Sequence, residues 1–210
     1  MKIWPLALAL FAGTVSADSP DIQLIQQTLT QIDTVPTSTD LDSAFSNHSN
    51  AALGLAAIAT DSGAIDAPSR NARLHAISAL ASYCTAPCSL SDPAHQALVS
   101  IITSLEGEST GFDAVVLRSA IEAIGPQRAT GSGSGSGSDF DPQPDLDLLV
   151  NQLQNPSRDV RAAAAHALRD LCNTNAIVPL RQQQQTETSE QVKQAITEAL
   201  RVLGQASPCQ

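Results

Sequence analysis

Four cysteines, Cys84, Cys88, Cys172 and Cys209, are the side chains of this 210-residue chain whose type first invites a chemical reading. Metal ligation is one option, since Cys84, Cys88 and His95 supply three zinc-type ligands. A closed tetrahedral site needs a fourth ligand, and none follows at a recognisable spacing, so no metal is expected. Disulfides are the other option, favoured by the even count in a chain that opens like an exported one. Of the three pairings that four cysteines permit, the sequence favours Cys84 with Cys88 across a short loop containing Pro87, and Cys172 with Cys209, tying the tail to a helix end.

The remaining candidates do not assemble into a reaction. Asp139, Asp141, Asp145 and Asp147 alternate as in a calcium loop, but Pro144 stands where the turn glycine belongs and Val150 where the bidentate Glu belongs. A solvated acidic loop is the expectation. His48, His75, His95 and His166 are scattered, none at a spacing that defines a triad or zinc pair, and are expected at the surface or rim. The glycines of GSGSGSGS alternate with Ser and precede no Lys, unlike a phosphate loop. A non-enzyme without a cofactor is therefore the expectation.

Charge narrows the partners. The chain carries 11 basic and 21 acidic side chains, a formal charge of −10. Such a surface repels phosphate backbones and anionic lipid, and one Tyr, one Trp and four Phe offer little for bases to stack on. Neither nucleic-acid binding nor membrane insertion is expected.

These residues must be positioned by helices, after a leader. Lys2, the apolar run 3–15 and Val15-Ser16-Ala17 read as a signal peptide cleaved after Ala17. The apolar run is shorter than the roughly 20 residues that span a bilayer, and no lipid-accepting cysteine follows it. The mature protein is expected in the periplasm or the medium. Its organisation reads as N-terminal helical repeats at 18–128, a Gly/Ser-rich acidic loop or linker at 129–144, and C-terminal repeats at 145–210. The linker composition buries no core. An inserted loop is the favoured reading; a hinge and an engineered replacement are the alternatives.

The repeat signal is clearest at 155–171, NPSRDVRAAAAHALRDL, where Val160, Ala164, Ala167, Leu168 and Leu171 fall on one helical stripe. Corresponding stripes are Ala72, Ala76, Ala79, Leu80 and Tyr83; Val116, Ala120, Ala123 and Ile124; and Val192, Ile196, Ala199, Leu200 and Leu203. Partner helices are expected at 50–60, after Asp92-Pro93, at 146–153 and from Ile177, the last running into solvated glutamines. A cap helix without a partner is expected at 20–33, followed by a loop at 34–42.

Pro156, Asp159, Val160, Arg161, Ala167 and Leu168 resemble the second helix of a HEAT repeat. Val192, Lys193, Ala199 and Leu200 keep part of that pattern, as do Arg73, Ala79 and Leu80. The second copy departs, with Leu117 at the basic position and Arg118 one place later. The resemblance implies an all-α, HEAT-like (armadillo-like) superhelix of about four helical hairpins behind an N-terminal cap helix. It also implies a ladder through Arg73, Asp159, Arg161 and Lys193, in which the basic residue often pairs with an acid of the neighbouring repeat. Second helices of such arrays line the concave side. Eight of the mature chain's basic residues lie on those helices, and Arg158, Arg169 and Arg201 fall outside the ladder position, so they are the candidate binding residues. The function implied is a scaffold or adaptor for another exported protein or peptide. A lyase-like enzyme or its accessory subunit, and a structural envelope spacer, are the alternatives.

Overall fold

The computed structural model describes residues 22–30, 36–45, 47–64, 66–83, 90–125 and 143–205. The expected leader, the Gly-Ser stretch and Cys84, Cys88 and Cys209 lie outside them. The described residues form helices and no strand: α1 (Ile22–Leu29), α2 (Ser38–Ala44), α3 (His48–Thr60), α4 (Ala67–Tyr83), α5 (Pro93–Ser104), α6 (Gly111–Ile124), α7 (Gln143–Gln152), α8 (Arg158–Asp170), a 3-10 turn (Thr174–Ala176), α9 (Ile177–Thr186) and α10 (Glu190–Leu203).

Local chemistry sets these boundaries. Asp92 accepts from the Ala94 amide and Pro93 occupies the first turn of α5, where a missing N–H costs nothing. Asn47 caps α3 by accepting from Asn50, and Asp66 does the same for α4 through both the amide and the hydroxyl of Ser69. The Asn155 side chain accepts from the Ser157 amide at 2.8 Å and turns the chain into α8.

Helices α3/α4, α5/α6, α7/α8 and α9/α10 pair as four hairpins, giving the HEAT-like superhelix expected from the repeats. The second helices form a continuous layer, α4 on α6, α6 on α8 and α8 on α10. Their stripes are the core: Ala76, Leu80, Val116, Ala120, Ala164, Leu168, Val192 and Ile196 are fully buried. Gly125, closing α6, lets this layer continue past the Gly-Ser stretch, since a Cβ there would lie 2.9 Å from Ala167 Cα and 3.1 Å from its carbonyl oxygen. In the first-helix layer α3 packs on α5, but a cavity of about 350 Å3 separates α5 from α7 and one of about 650 Å3 separates α7 from α9. In the C-terminal half the second helices thus make most of the contact between successive hairpins.

The N-terminal cap differs from its expectation. Residues 38–42, expected in a loop, belong to the helix 38–44, because Thr37 and Asp40 form a reciprocal capping box and Leu41, Ala44 and Phe45 find a core to enter. Helix α1 is accordingly not alone; it packs on α2 and α4, and the His75 ring nitrogen lies 2.8 Å from the Leu29 carbonyl. The Tyr83 hydroxyl, at the far end of α4, donates to Asp42 at 2.7 Å and bridges to the Ser38 carbonyl at 3.1 Å. Phe45 reaches α3 at Gly54, where any Cβ would meet its ring.

Two further corrections concern the C-terminal half. Gln143 and Pro144, expected in the linker, already belong to α7, and Asp145, expected in a solvated acidic loop, is buried in its first turn. Gln183, expected on a solvated helix end, is also buried, because its amide is bonded on both sides.

Candidate interaction surface

The ladder position comes first, because it fixes how successive hairpins are oriented. Arg161, at the first turn of α8, donates from Nε and Nη2 to Glu187 at 2.8 and 2.9 Å, and from Nη1 to the carbonyls of Asn155 and Pro156. Glu187 lies in the loop before α10, so the fork joins one hairpin to the next as the repeat pattern implies. It is a strong geometry: a planar guanidinium matched to a buried carboxylate. Glu187 also accepts from Gln183 and from the amides of Thr188 and Ser189. The Arg161 hydrogen bonds, against the cost of burial, hold its carboxyl at about 2, well below the ordinary value.

Arg73, the matching residue of α4, is buried and donates to the Ala59 carbonyl at 2.9 Å, at the end of α3 where helix carbonyls lack partners. Burial pushes its guanidinium down, and the charges of Asp113 in the next hairpin and Asp61 oppose that. Thus the acid of the following repeat acts on Arg73 through its field and on Arg161 through contact. Lys193, on α10, is half-buried and joins no such pair among the described residues.

The three arginines singled out by sequence lie on the second-helix layer, as expected. Arg158 and Arg169 are eleven residues apart, three helical turns, and so share one stripe of α8; Arg201 is on the neighbouring α10. Each meets an acid of its own helix: Arg158 with Asp159 at 3.3 Å, Arg169 with Asp170 at 2.7 Å, Arg201 with Glu198 at 2.7 Å. Arg118 repeats the arrangement on α6 with Glu122 at 2.8 Å. The fields cross helices as well. Asp159 on α8 reinforces Glu122 in stabilising the charge on Arg118, and Glu198 is held low first by Arg201 and then by Arg169 and His166 of α8. Three adjacent helices thus carry four arginines balanced by four carboxylates, in a chain whose formal charge is −10.

Exposure decides what this lattice does. Arg158 and Arg201 are 67% and 61% exposed, and pairs of that kind contribute about 0–1 kcal/mol. A partner's carboxylates displace such acids at small cost, so Arg158 and Arg201 are available although paired, whereas Arg169, 29% exposed and also beside His166, is held more firmly.

Sequence reasoning missed a second feature. His95 on α5 and Asp145 on α7 are both buried and meet at 2.9 Å, beside the cavity whose walls include Gln96, Val99, Ser100 and Leu148. His95 is thereby not the surface or rim histidine expected. The two residues are fifty positions apart across the Gly-Ser stretch, so no local spacing reveals them. Among the described residues no three His, Cys, Asp or Glu side chains converge to hold a metal ion, and no helix is long and apolar enough to cross a membrane.

Cys172 follows α8 with φ of 58°, the left-handed position that commonly ends helices, and is disulfide-bonded; the other half lies outside the described residues.

The family model for HEAT repeats matches residues 105–201, from the end of α5 through most of α10, the stretch that contains the Arg161 fork and the arginine lattice. That match supports a place among HEAT-repeat proteins. A search among curated proteins finds no match to the chain.

Proposed function

We propose that this HEAT-like array is an exported, non-catalytic scaffold that holds another exported protein or peptide on the inner face formed by α6, α8 and α10. The observation that carries the reading is the lattice itself: Arg118, Arg158, Arg169 and Arg201 stand on adjacent second helices, and the pairs of Arg118, Arg158 and Arg201 are exposed enough to be exchangeable. Stacked hairpins of this kind present extended curved surfaces suited to polypeptide partners. The ligand this surface suits is an extended acidic or polar segment, captured with modest and salt-sensitive affinity. Export to the periplasm or medium is supported by the leader at 1–17 and by the disulfide at Cys172, a bond that persists in oxidising compartments.

The test is affinity capture from the periplasm or culture medium, followed by mass spectrometry, with the wild-type protein and the triple variant Arg158→Ser, Arg169→Ser, Arg201→Ser. The variant keeps the apolar stripes and should retain helicity and melting while losing most of the captured partner. Equal capture by both proteins would place the partner elsewhere and end the inner-face reading.

A further inference from the structure

We propose that the groove between α7 and α9, on the opposite layer from the arginine lattice, is a second docking site that takes an extended peptide bearing lysine or arginine side chains. The groove has a volume of about 650 Å3, with Asn151 and Gln154 on one wall, Gln182 and Thr186 on the other, and Glu106 at its edge.

The direction of its hydrogen bonds is set from inside the protein. Glu187 is fixed as a carboxylate by the Arg161 fork, and a carboxylate only accepts. Gln183 must therefore turn its amide nitrogen toward Glu187, which it does at 3.0 Å, and this leaves its carbonyl oxygen facing the groove. Gln154 answers by donating its own amide nitrogen to that oxygen at 2.6 Å. Gln154 keeps its carbonyl oxygen and its second amide hydrogen, so the relay ends in a group that accepts as well as donates. Among the described residues Glu106 is the one charged side chain of the lining, so the charge of the groove favours cationic side chains, while the carbonyl oxygens of its amides accept peptide N–H groups.

Extended peptide fits better than other ligands rich in donors. Among the described residues no aromatic ring lines the groove, so a base or a sugar ring finds no face to stack on. The exposed amides Asn151 and Gln182 each offer both an acceptor and donors, which suits the alternating N–H and C=O groups of a strand. Every second side chain of such a strand returns to the same face at about 7 Å, which lets successive basic residues address the Glu106 edge and the Gln154 oxygen.

The experiment uses the full chain, labelled with 15N, titrated with an acetylated and amidated hexapeptide of alternating Lys and Ala, and separately with the same peptide carrying Glu for Lys. The Lys peptide should shift the side-chain amide signals of Asn151, Gln154 and Gln182. Its affinity should fall roughly five- to tenfold in Glu106→Gln and in Gln154→Leu, the loss of about one polar contact. Both positions are exposed, so the variants should fold, and Glu106→Gln alone suffices if the other does not. Absence of shifts at millimolar peptide, equal shifts with the Glu peptide, or unchanged affinity in a folded variant would overturn the proposal. The Glu peptide on the arginine lattice reads out the scaffold proposal separately, because its signals come from α8 and α10 backbone and arginine side chains.

Discussion

Glu187→Gln should destabilise the protein at neutral pH by about 3 kcal/mol, and that difference should disappear in acid. The carboxylate receives five donors: Arg161 Nε at 2.8 Å, Arg161 Nη2 at 2.9 Å, Gln183 at 3.0 Å, and the amides of Thr188 and Ser189 at 2.9 and 2.8 Å. Its side chain is only 1% exposed, so solvent screens little of this. The carboxyl is depressed from 4.5 to about 2, with the Arg161 hydrogen bonds as the largest cause. At 1.36 kcal/mol per pH unit this corresponds to about 3 kcal/mol of folding free energy. Because the folded value lies below the unfolded one, that stability is fully present above about pH 4.5 and is lost as pH falls toward 2. Domains of this size are stable by only about 5–15 kcal/mol, so the effect is large. Urea titrations followed by far-UV circular dichroism at several pH values between 7 and 2 measure it for wild type and variant. Two stability curves that run parallel over the whole range would refute the fork as the source of the energy.

Gly125→Ala should cost about 1–3 kcal/mol by calorimetry, since its Cβ would approach the backbone of Ala167 to 2.9 Å and neither helix end has a flexible side chain to move aside. Tyr83→Phe should cost about 1–2 kcal/mol and accelerate hydrogen exchange in α2 more than in α8, because the lost hydroxyl bonds go to Ser38 and Asp42. Trypsin digestion without reduction should release 170–181 linked to 202–210, the Cys172–Cys209 pairing; a link from either peptide to 74–118 would replace it with a bond to Cys84 or Cys88.

What the sequence revealed and what it hid divide along a physical line. The stripes through Val160 and Leu168, and their counterparts in the other hairpins, were legible because burial of a helix face imposes a 3.6-residue period that survives in one sequence. The position of Arg161 was legible through its repeat pattern. Its partner was not, because Glu187 belongs to a loop whose length varies between hairpins, and only folding brings it within 2.8 Å. The same holds for His95 and Asp145, which are fifty residues apart and meet at 2.9 Å only in the folded chain. Helix α2 was hidden by composition: its Ser, Thr and Asp residues suit a loop equally well, and the deciding features are the Thr37–Asp40 capping box and the burial of Leu41 and Ala44. Gln183 looked solvated because a run of glutamines has no apolar period, yet a buried amide is stable when both ends are bonded.

The long connection between the second and third hairpins bears on whether the arginine lattice acts as one surface. Loop closure costs grow slowly, about 0.6 kcal/mol for each doubling of loop length. Against that stand the packing of α6 on α8, in which Val116, Ala120, Ile124, Ala163, Ala164 and Ala167 all belong to one buried core, and the His95–Asp145 contact in the other layer. Fully burying even one Val- or Ile-sized side chain contributes about 1.5–3 kcal/mol, more than several doublings of loop length remove. The third hairpin is therefore held on the second by its own interface, largely independent of the connecting chain. Arg118 on one side of the junction and Arg158, Arg169 and Arg201 on the other are consequently presented at fixed spacing, and a partner spanning them does not have to order the junction as it binds.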